Sequence, residues 1–403
     1  MPFRADPQTH EFQAPDRVIR ALYVHIPFCH SICPFCAFAV HGNRKALHAP
    51  YLEALRTEMA LRREMLQAQG VTLSRIQAVY LGGGTPSTLA LESLQTLLRD
   101  LAEAFPWPAG VEIACEINPE DVTPDYIQAL KALGITRISL GIQSLKEATL
   151  KALGRRHTAR HSRQALEVVK REGPGNLSAD LMSGAPGIPP KDFLEDVRAL
   201  LDYHPEHVSL YGLDVEPGTL FYRRGQAAGW LEKQRETLAD VYLQGTDRMK
   251  TAGYRHYEVS NLCLPGYEGR QNLKVWEGWG YLGFGPGAHS FHAGMRWSNH
   301  RHLRKYGQDL AQGKLPVAQE ESPTPCQRAN ETLMLALRRE EGLAVRAWCE
   351  AHGQNWGPRR ERLVQALEQQ GHAERTPTGF RLTARGFLLA DSITESLMVE
   401  AGK

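Results

Sequence analysis

Six short, apolar, strand-leaning runs recur through the first half of the chain, with helical spacing between them. They are Val18 to Ile26, Ile76 to Leu81, Val111 to Ile117, Arg137 to Gly141, Leu177 to Leu181 and His207 to Leu213. Strands that alternate with helices imply a parallel sheet with right-handed crossovers. Pro50 to Gln69 has no internal Gly or Pro and sets Tyr51, Leu55, Met59 and Leu66 on one helical face. Leu91 to Phe105 follows the same pattern. Pro124 to Leu133 has Thr123 as its cap, Pro124 at the first helical position and Gly134 as its stop. Leu145 to Leu153, Arg160 to Arg171 and Lys191 to Tyr203 complete the alternation. Six such units predict an incomplete (β/α)6 barrel, an α/β fold whose site forms at the C-terminal ends of the strands.

The chemically useful residues fall at those ends. Cys29 follows the first run and Gly82-Gly-Gly-Thr-Pro86 the second. Glu116 and Asn118 end the third, Gln143 and Ser144 follow the fourth, and Asp180 closes the fifth. Cys29, Cys33 and Cys36 are spaced C-x3-C-x2-C. Three thiolates can hold three irons of a four-iron cluster and leave one iron open. The cysteines alone also allow zinc, with His30 or His41 as a further ligand, or plain structural thiols. A disulfide pairing leaves one thiol over.

The chain has 403 residues, enough for a large core and a second small domain. Its 47 basic and 45 acidic side chains give a net charge of +2. That balance provides no electrostatic reason to expect nucleic acid or an acidic membrane surface as the main partner. No run approaches the ~18 apolar residues of a membrane span, though peripheral membrane contact is compatible with the composition. Arg4, Asp6, Asp16 and Arg17 interrupt the first twenty residues, so no secretory signal is expected. Cys115, Cys263, Cys326 and Cys349 are scattered singly, which suits a reduced, cytoplasmic compartment.

The barrel is expected over residues 1–250. Residues 251–310 are rich in Gly and aromatics and read as loops and short strands packed on the barrel. Residues 311–403 open with a Pro-bearing connector, Leu315 to Pro325. They continue with helical stretches at Arg328 to Arg339, Val345 to Glu350 and Leu363 to Gln370, and a β-element at Gly379 to Gly386. This order predicts a small winged-helix-like α+β domain, and its charge gives no sign of DNA binding.

Several segments together resemble one family. They are Tyr23-Val-His-Ile-Pro-Phe-Cys29 with the cysteine loop, Gly82 to Pro86, Glu116-Ile-Asn-Pro119, Leu140-Gly-Ile-Gln-Ser144 and Gly283-Phe-Gly-Pro-Gly-Ala-His-Ser290. These are similar to the radical S-adenosylmethionine (SAM) superfamily, and within it to the oxygen-independent coproporphyrinogen oxidase-like group. The resemblance spans about residues 20 to 400. It implies a [4Fe-4S] cluster on Cys29, Cys33 and Cys36, with SAM on the open iron. It also implies that an electron from the cluster releases a 5′-deoxyadenosyl radical, so the cofactor carries the hard chemistry. By the same resemblance Tyr23, Phe35, Gly83, Gly84, Thr85, Glu116, Gln143, Arg155 and Asp180 are SAM contacts. The competing reading of Asp180 is a solvated strand-end charge, and that of Arg155 a surface cation. Tyr23 and Phe35 read as core aromatics. No further catalytic residue is implied.

Within that group the chain resembles the haem-chaperone branch (HemW) in Ser209-Leu-Tyr-Gly-Leu-Asp-Val-Glu-Pro-Gly-Thr219, Tyr257 to Asn261 and Gly283 to Ser290. Oxidases typically carry a fourth Cys where this chain has Phe38, and a long N-terminal lid where it has 22 residues before Tyr23. The branch implies a chaperone that binds haem, passes it to an acceptor protein and draws on an electron donor. The alternatives are an oxidase that decarboxylates coproporphyrinogen, or a related radical methyltransferase. Two departures stand out. Ala37 replaces the branch's usual Asp, and Gln271-Asn-Leu-Lys-Val-Trp276 replaces a His-Asn-x-x-Tyr-Trp segment associated with haem. Gln271 lacks the imidazole that suits haem iron, which leaves His256, His289 and His292 as candidate ligands.

Overall fold

The computed structural model describes residues 17–42, 44–71, 73 and 75–400. Arg4, Asp6 and Asp16 lie outside the described residues, as do residues 401–403. Every expected strand forms: β1 Ile19–Ile26, β2 Ala78–Gly83, β3 Glu112–Ile117, β4 Arg137–Gln143, β5 Leu177–Ser183 and β6 His207–Gly212. They pair in parallel in that order. Between them lie α1 His48–Ala68, α2 Leu91–Ala104, α3 Pro124–Ala132, α4 Glu147–Ala152, α5 Ala159–Glu172 and α6 Lys191–Leu201.

Strand alternation divides the barrel wall into two faces. In β1, Leu22, Val24 and Ile26 join the buried core shared with the helices. Tyr23 and His25 alternate with them on the other face, where Tyr23 Oη lies 2.9 Å from His25 Nδ1. The α1 face is the expected one, with Tyr51, Leu55, Met59 and Leu66 buried. Thr123 caps α3 by accepting from Tyr126 N, with Pro124 in the first turn.

The stretch after Gly253 differs from expectation, because its strands join the barrel sheet. β7 Arg255–Glu258 and β8 Asn261–Cys263 extend it antiparallel beyond β6. β9 Gly280–Phe284 pairs in parallel with β1 and forms a seventh parallel strand. β10 His289–His292, β11 Met295–Asn299 and β12 Val317–Glu321 then continue antiparallel. The sheet order is β12-β11-β10-β9-β1-β2-β3-β4-β5-β6-β8-β7. Both edges of the six-stranded wall have unpaired backbone groups that require partners, and one Gly-rich segment supplies them.

Long-range packing of three helices accompanies this extension. Helix α7 Leu220–Arg224 leads into α8 Gln226–Thr251, which packs on α6. Helix α9 Arg270–Trp276 covers the N-terminal ends of the strands. Arg270 N donates there to Glu112 Oε1 at 3.0 Å, and Arg137 Nη1 to Tyr267 O at 3.0 Å. Helix α10 Leu303–Ala311 packs on α1. Between them Glu58, 0% exposed, accepts from Gly285 N at 2.8 Å, Asn299 Nδ2 at 2.6 Å and Tyr306 Oη at 2.8 Å.

A second core, built on Leu333, Trp348, Val364, Phe380 and Leu397, forms the C-terminal unit. Its order is α11 Pro325–Ala336, β13 Leu343–Ala344, α12 Val345–His352, α13 Gly357–Gln369, β14 Ala373–Thr376 and β15 Gly379–Leu382. Helices α14 Ala384–Phe387 and α15 Ala390–Leu397 close the unit, whose short first strand was absent from the sequence reading. Two backbone bonds join it to the barrel sheet, Val259 N to Arg338 O at 2.9 Å and Glu340 N to Tyr257 O at 3.0 Å.

Removing Glu58 strands three buried donors, so Glu58→Ala is expected to cost about 3 kcal/mol. A urea unfolding curve with a clearly lower midpoint checks this; an unchanged midpoint contradicts it.

Candidate cluster and cofactor site

The C-terminal ends of the strands enclose a cavity of about 530 Å³. Cys29, Cys33 and Cys36 line it, as do Phe35, Gly83, Gly84, Thr85, Glu116, Gln143, Arg155 and Asp180. Tyr23 is not among the lining residues; its hydroxyl meets His25 and its ring lies 6.2 Å from Tyr80. The fold therefore gathers eleven of the twelve candidates around one cavity, drawn from four strand ends, the cysteine loop and the turn between α4 and α5 that carries Arg155.

The cysteine loop is held at several points. Phe28–Cys29 pairs in parallel with His41–Gly42. Phe221 N donates to Pro34 O at 3.0 Å, so α7 supports the loop's middle. His25 Nε2 lies 2.9 Å from Ala39 O, and Tyr51 Oη donates to His25 O at 2.9 Å. Burial holds the His25 imidazole at about 4, so it is neutral at pH 7.

The glycine run is explained by what surrounds it. Gly83 has φ +102°, and a Cβ there would sit 2.3 Å from the His25 ring. A Cβ on Gly82 would sit 2.8 Å from the Glu116 carboxyl carbon. Only glycine lets this strand end pass between the two groups. Gly83 N then donates to Glu116 Oε2 at 3.0 Å, and Tyr80 Oη to Glu116 Oε1 at 2.8 Å.

Arg155 ties the pieces together. Its Nη1 donates to Cys33 Sγ at 3.2 Å, and its Nη2 to Asn118 Oδ1 at 2.9 Å and Gly141 O at 3.1 Å. Asn118 Nδ2 in turn donates to Thr85 Oγ1 at 3.2 Å. Asn118 was legible only as a strand-end polar residue; its place between Arg155 and Thr85 needed the fold. His25, Tyr80 and Ser209 were also passed over, although each is a polar interruption at period two in an apolar run.

Burial sets the electrostatics. It pushes the Cys29 thiol up to about 11, opposed by the Thr85 hydrogen bond and reinforced by Cys36 and Cys33 nearby. It lifts Glu116 to about 7; the Tyr80 bond opposes this and the Asp180 charge adds to it. It lifts Asp180 to about 6, against the Ser209 hydrogen bond and the charges of Arg137 and Arg155. Buried thiols beside a guanidinium suit a soft metal centre that takes thiolates.

The residues fit a cluster with a bound zwitterionic ligand. Gln143 has φ +63°, a conformation costly for a residue with a side chain, and its buried Oε1 has no protein partner. Arg155 Nε is likewise buried without one. A ligand carrying both an ammonium and a carboxylate can satisfy such groups. The haem-associated segment lies elsewhere: Gln271 is buried in α9, at the opposite end of the strands. His256 is buried against Phe387, ring centroids 5.0 Å apart, and His292 is buried, whereas His289 is exposed.

Comparison with known proteins agrees with this architecture. Residues 23–200 match the model for the radical SAM superfamily, and residues 324–389 that for the HemN C-terminal domain. The heme chaperone HemW of Mycobacterium tuberculosis is 34% identical over 380 residues, 94% of each chain. The heme chaperone HemW of Escherichia coli is 32% identical, over 94% of this chain and 98% of its own. Among solved structures, the Escherichia coli coproporphyrinogen III oxidase HemN, described as a radical SAM enzyme, superimposes with a TM-score of 0.78. It shares 21% identity over 96% of this chain and 91% of its own, so this likeness concerns the fold.

The raised carboxyls give a pH signature without any ligand. Glu116 and Asp180 ionise near pH 4 when unfolded and at about 7 and 6 when folded. Between those limits the folded chain binds more protons, so this pair's contribution to stability is lost as pH rises from 4 to 7. The Glu116→Gln/Asp180→Asn protein lacks that slope. Wild type should therefore lose thermal stability relative to the double variant across this range. Parallel curves contradict the assignment.

Proposed function

Since the chain belongs to the HemW family of the radical SAM superfamily, we propose that it is a haem chaperone that binds haem and passes it to an acceptor protein. The observation that carries this reading is the near-full-length similarity to proteins named heme chaperone HemW. No helix among the described residues is long and apolar enough to cross a membrane. We place the protein in the cytoplasm, with an electron donor as a further partner.

In this reading Cys29, Cys33 and Cys36 hold a [4Fe-4S] cluster and SAM takes the open iron. Together, when bound, the two supply one-electron chemistry. Gly83, Gly84 and Thr85 give SAM a close backbone approach. Gln143, Arg155 and Asp180 serve its polar groups, Glu116 offers two carboxylate oxygens at the β2 end, and Phe35 borders the cavity. Tyr23 acts one step away by setting His25. The barrel carries the lining of this site; the extension, which was expected to end at 310, reaches Glu321 because β12 belongs to the barrel sheet, and the unit joined to β7 begins at α11.

The cavity lining also weighs against the oxidase. Coproporphyrinogen carries four propionates. Asp214, Glu216 and Asp180 line the cavity beside a partly protonated Glu116, and among the described lining residues Arg155, already bonded to Cys33 and Asn118, is the one Lys or Arg. Like charges in a confined site oppose such a substrate.

Anaerobic reconstitution followed by haem titration, read at the Soret band, tests the reading alongside a coproporphyrinogen decarboxylation assay. Saturable haem binding without decarboxylation is expected. Decarboxylation without stable haem binding overturns the chaperone and restores the oxidase; neither haem binding nor decarboxylation brings the methyltransferase forward.

A further inference from the structure

The segment from Gly283 to Arg301 reaches the backbone just after the third cysteine. Arg301 Nη2 donates to Ala37 O at 2.5 Å, between residues 264 positions apart. A Cβ on Gly287 would stand 2.7 Å from Ala39 Cβ, so the two segments touch. From the barrel side His25 Nε2 lies 2.9 Å from Ala39 O. The loop leaving Cys36 is thus gripped from both sides. The outer grip is itself rigid, because buried Glu58 fixes Gly285 and Asn299.

The Arg301 side chain is exposed, and Ala37 offers no carboxylate to neutralise it. Its charge reaches the loop's surroundings, helping to lower the pKa of His25 and His289. We propose that Arg301 is a positioning residue for the cluster: it fixes the Ala37 carbonyl, hence the exit of the chain from Cys36, and its cation favours the added electron of the reduced cluster. Both effects follow from one contact. A charge-assisted bond holds a main-chain carbonyl better than a neutral one. A positive charge near a cluster raises its reduction potential, because net charge and nearby hydrogen bonds tune such centres.

The inference rests on a cluster at Cys29, Cys33 and Cys36 and is independent of haem. The full-length protein is reconstituted anaerobically, and Arg301→Gln and Arg301→Lys are compared with wild type. Iron release to a chelator and the reduction potential are read, with the thermal unfolding midpoint of each apo protein as control. Arg301→Gln should release iron several-fold faster and have a more negative potential, with its midpoint unchanged. Arg301→Lys should recover the potential but only part of the retention, since an ammonium keeps the charge without the planar fork. Wild-type release and potential in Arg301→Gln overturn the proposal, as does a fall in midpoint matching the iron loss. Should Arg301→Gln fail to fold, Arg301→Lys decides: faster release at wild-type potential supports it, and no change overturns it. Wild type that takes up no iron defeats the cluster reading itself.

Discussion

Three thiolates that must face one cavity are carried on a loop with almost no regular structure, so its shape is imposed from outside. The loop's longest pairing is two residues, Phe28–Cys29 against His41–Gly42. Its remaining constraints come from elsewhere: Arg155 at Cys33, α7 at Pro34, Arg301 at Ala37 and His25 at Ala39. His25 lies in a strand, α7 is anchored by buried Phe221, Arg155 is tied to Asn118 and Gly141, and exposed Arg301 follows closely on β11. The buried carboxylate of Glu58 orders the Gly283 to Arg301 segment that grips the loop. A buried charge is costly unless fully bonded, and this one has three donors.

The barrel was legible because period-two and period-3.6 patterns repeat with clear punctuation. Thr123, Pro124 and Gly134 bound α3 just where their chemistry predicts. The cysteines, Glu116, Gln143 and Asp180 were legible because they break apolar strands at the end where such barrels place their sites. What could not be read was any pairing between distant segments. Nothing local marks Gly280 as a partner for β1, so the extension seemed to lie on the barrel when it belongs to the sheet. Helix α8 was missed because its buried residues, Val241, Tyr242, Thr246 and Met249, mix polar and apolar types. Arg301 was invisible for the same reason as β9, since a carbonyl 264 positions away leaves no trace in composition.

The two candidate functional regions occupy opposite ends of one sheet. The cysteine cavity lies at the C-terminal strand ends, and α9 covers the N-terminal ends. Between them the interior is polar and bonded. Ser178 Oγ lies 2.8 Å from His207 Nδ1, His207 Nε2 lies 2.8 Å from Tyr257 Oη, and Gly269 N donates to Tyr257 Oη at 3.1 Å. Burial keeps His207 well below its usual range, so this chain is neutral and acts as a fixed support. Gln271 sits just beyond it and is buried. In the proposed reading, haem is therefore held by groups other than that side chain.

The central claim is that three cysteines leave one iron open toward the cavity holding Glu116, Gln143 and Asp180. Electron paramagnetic resonance of the anaerobically reconstituted, reduced protein, recorded with and without SAM, tests it most directly. The account predicts a cluster signal whose g-values shift when SAM is added. A cluster signal that SAM leaves untouched, or a site that takes zinc in place of iron, would contradict it.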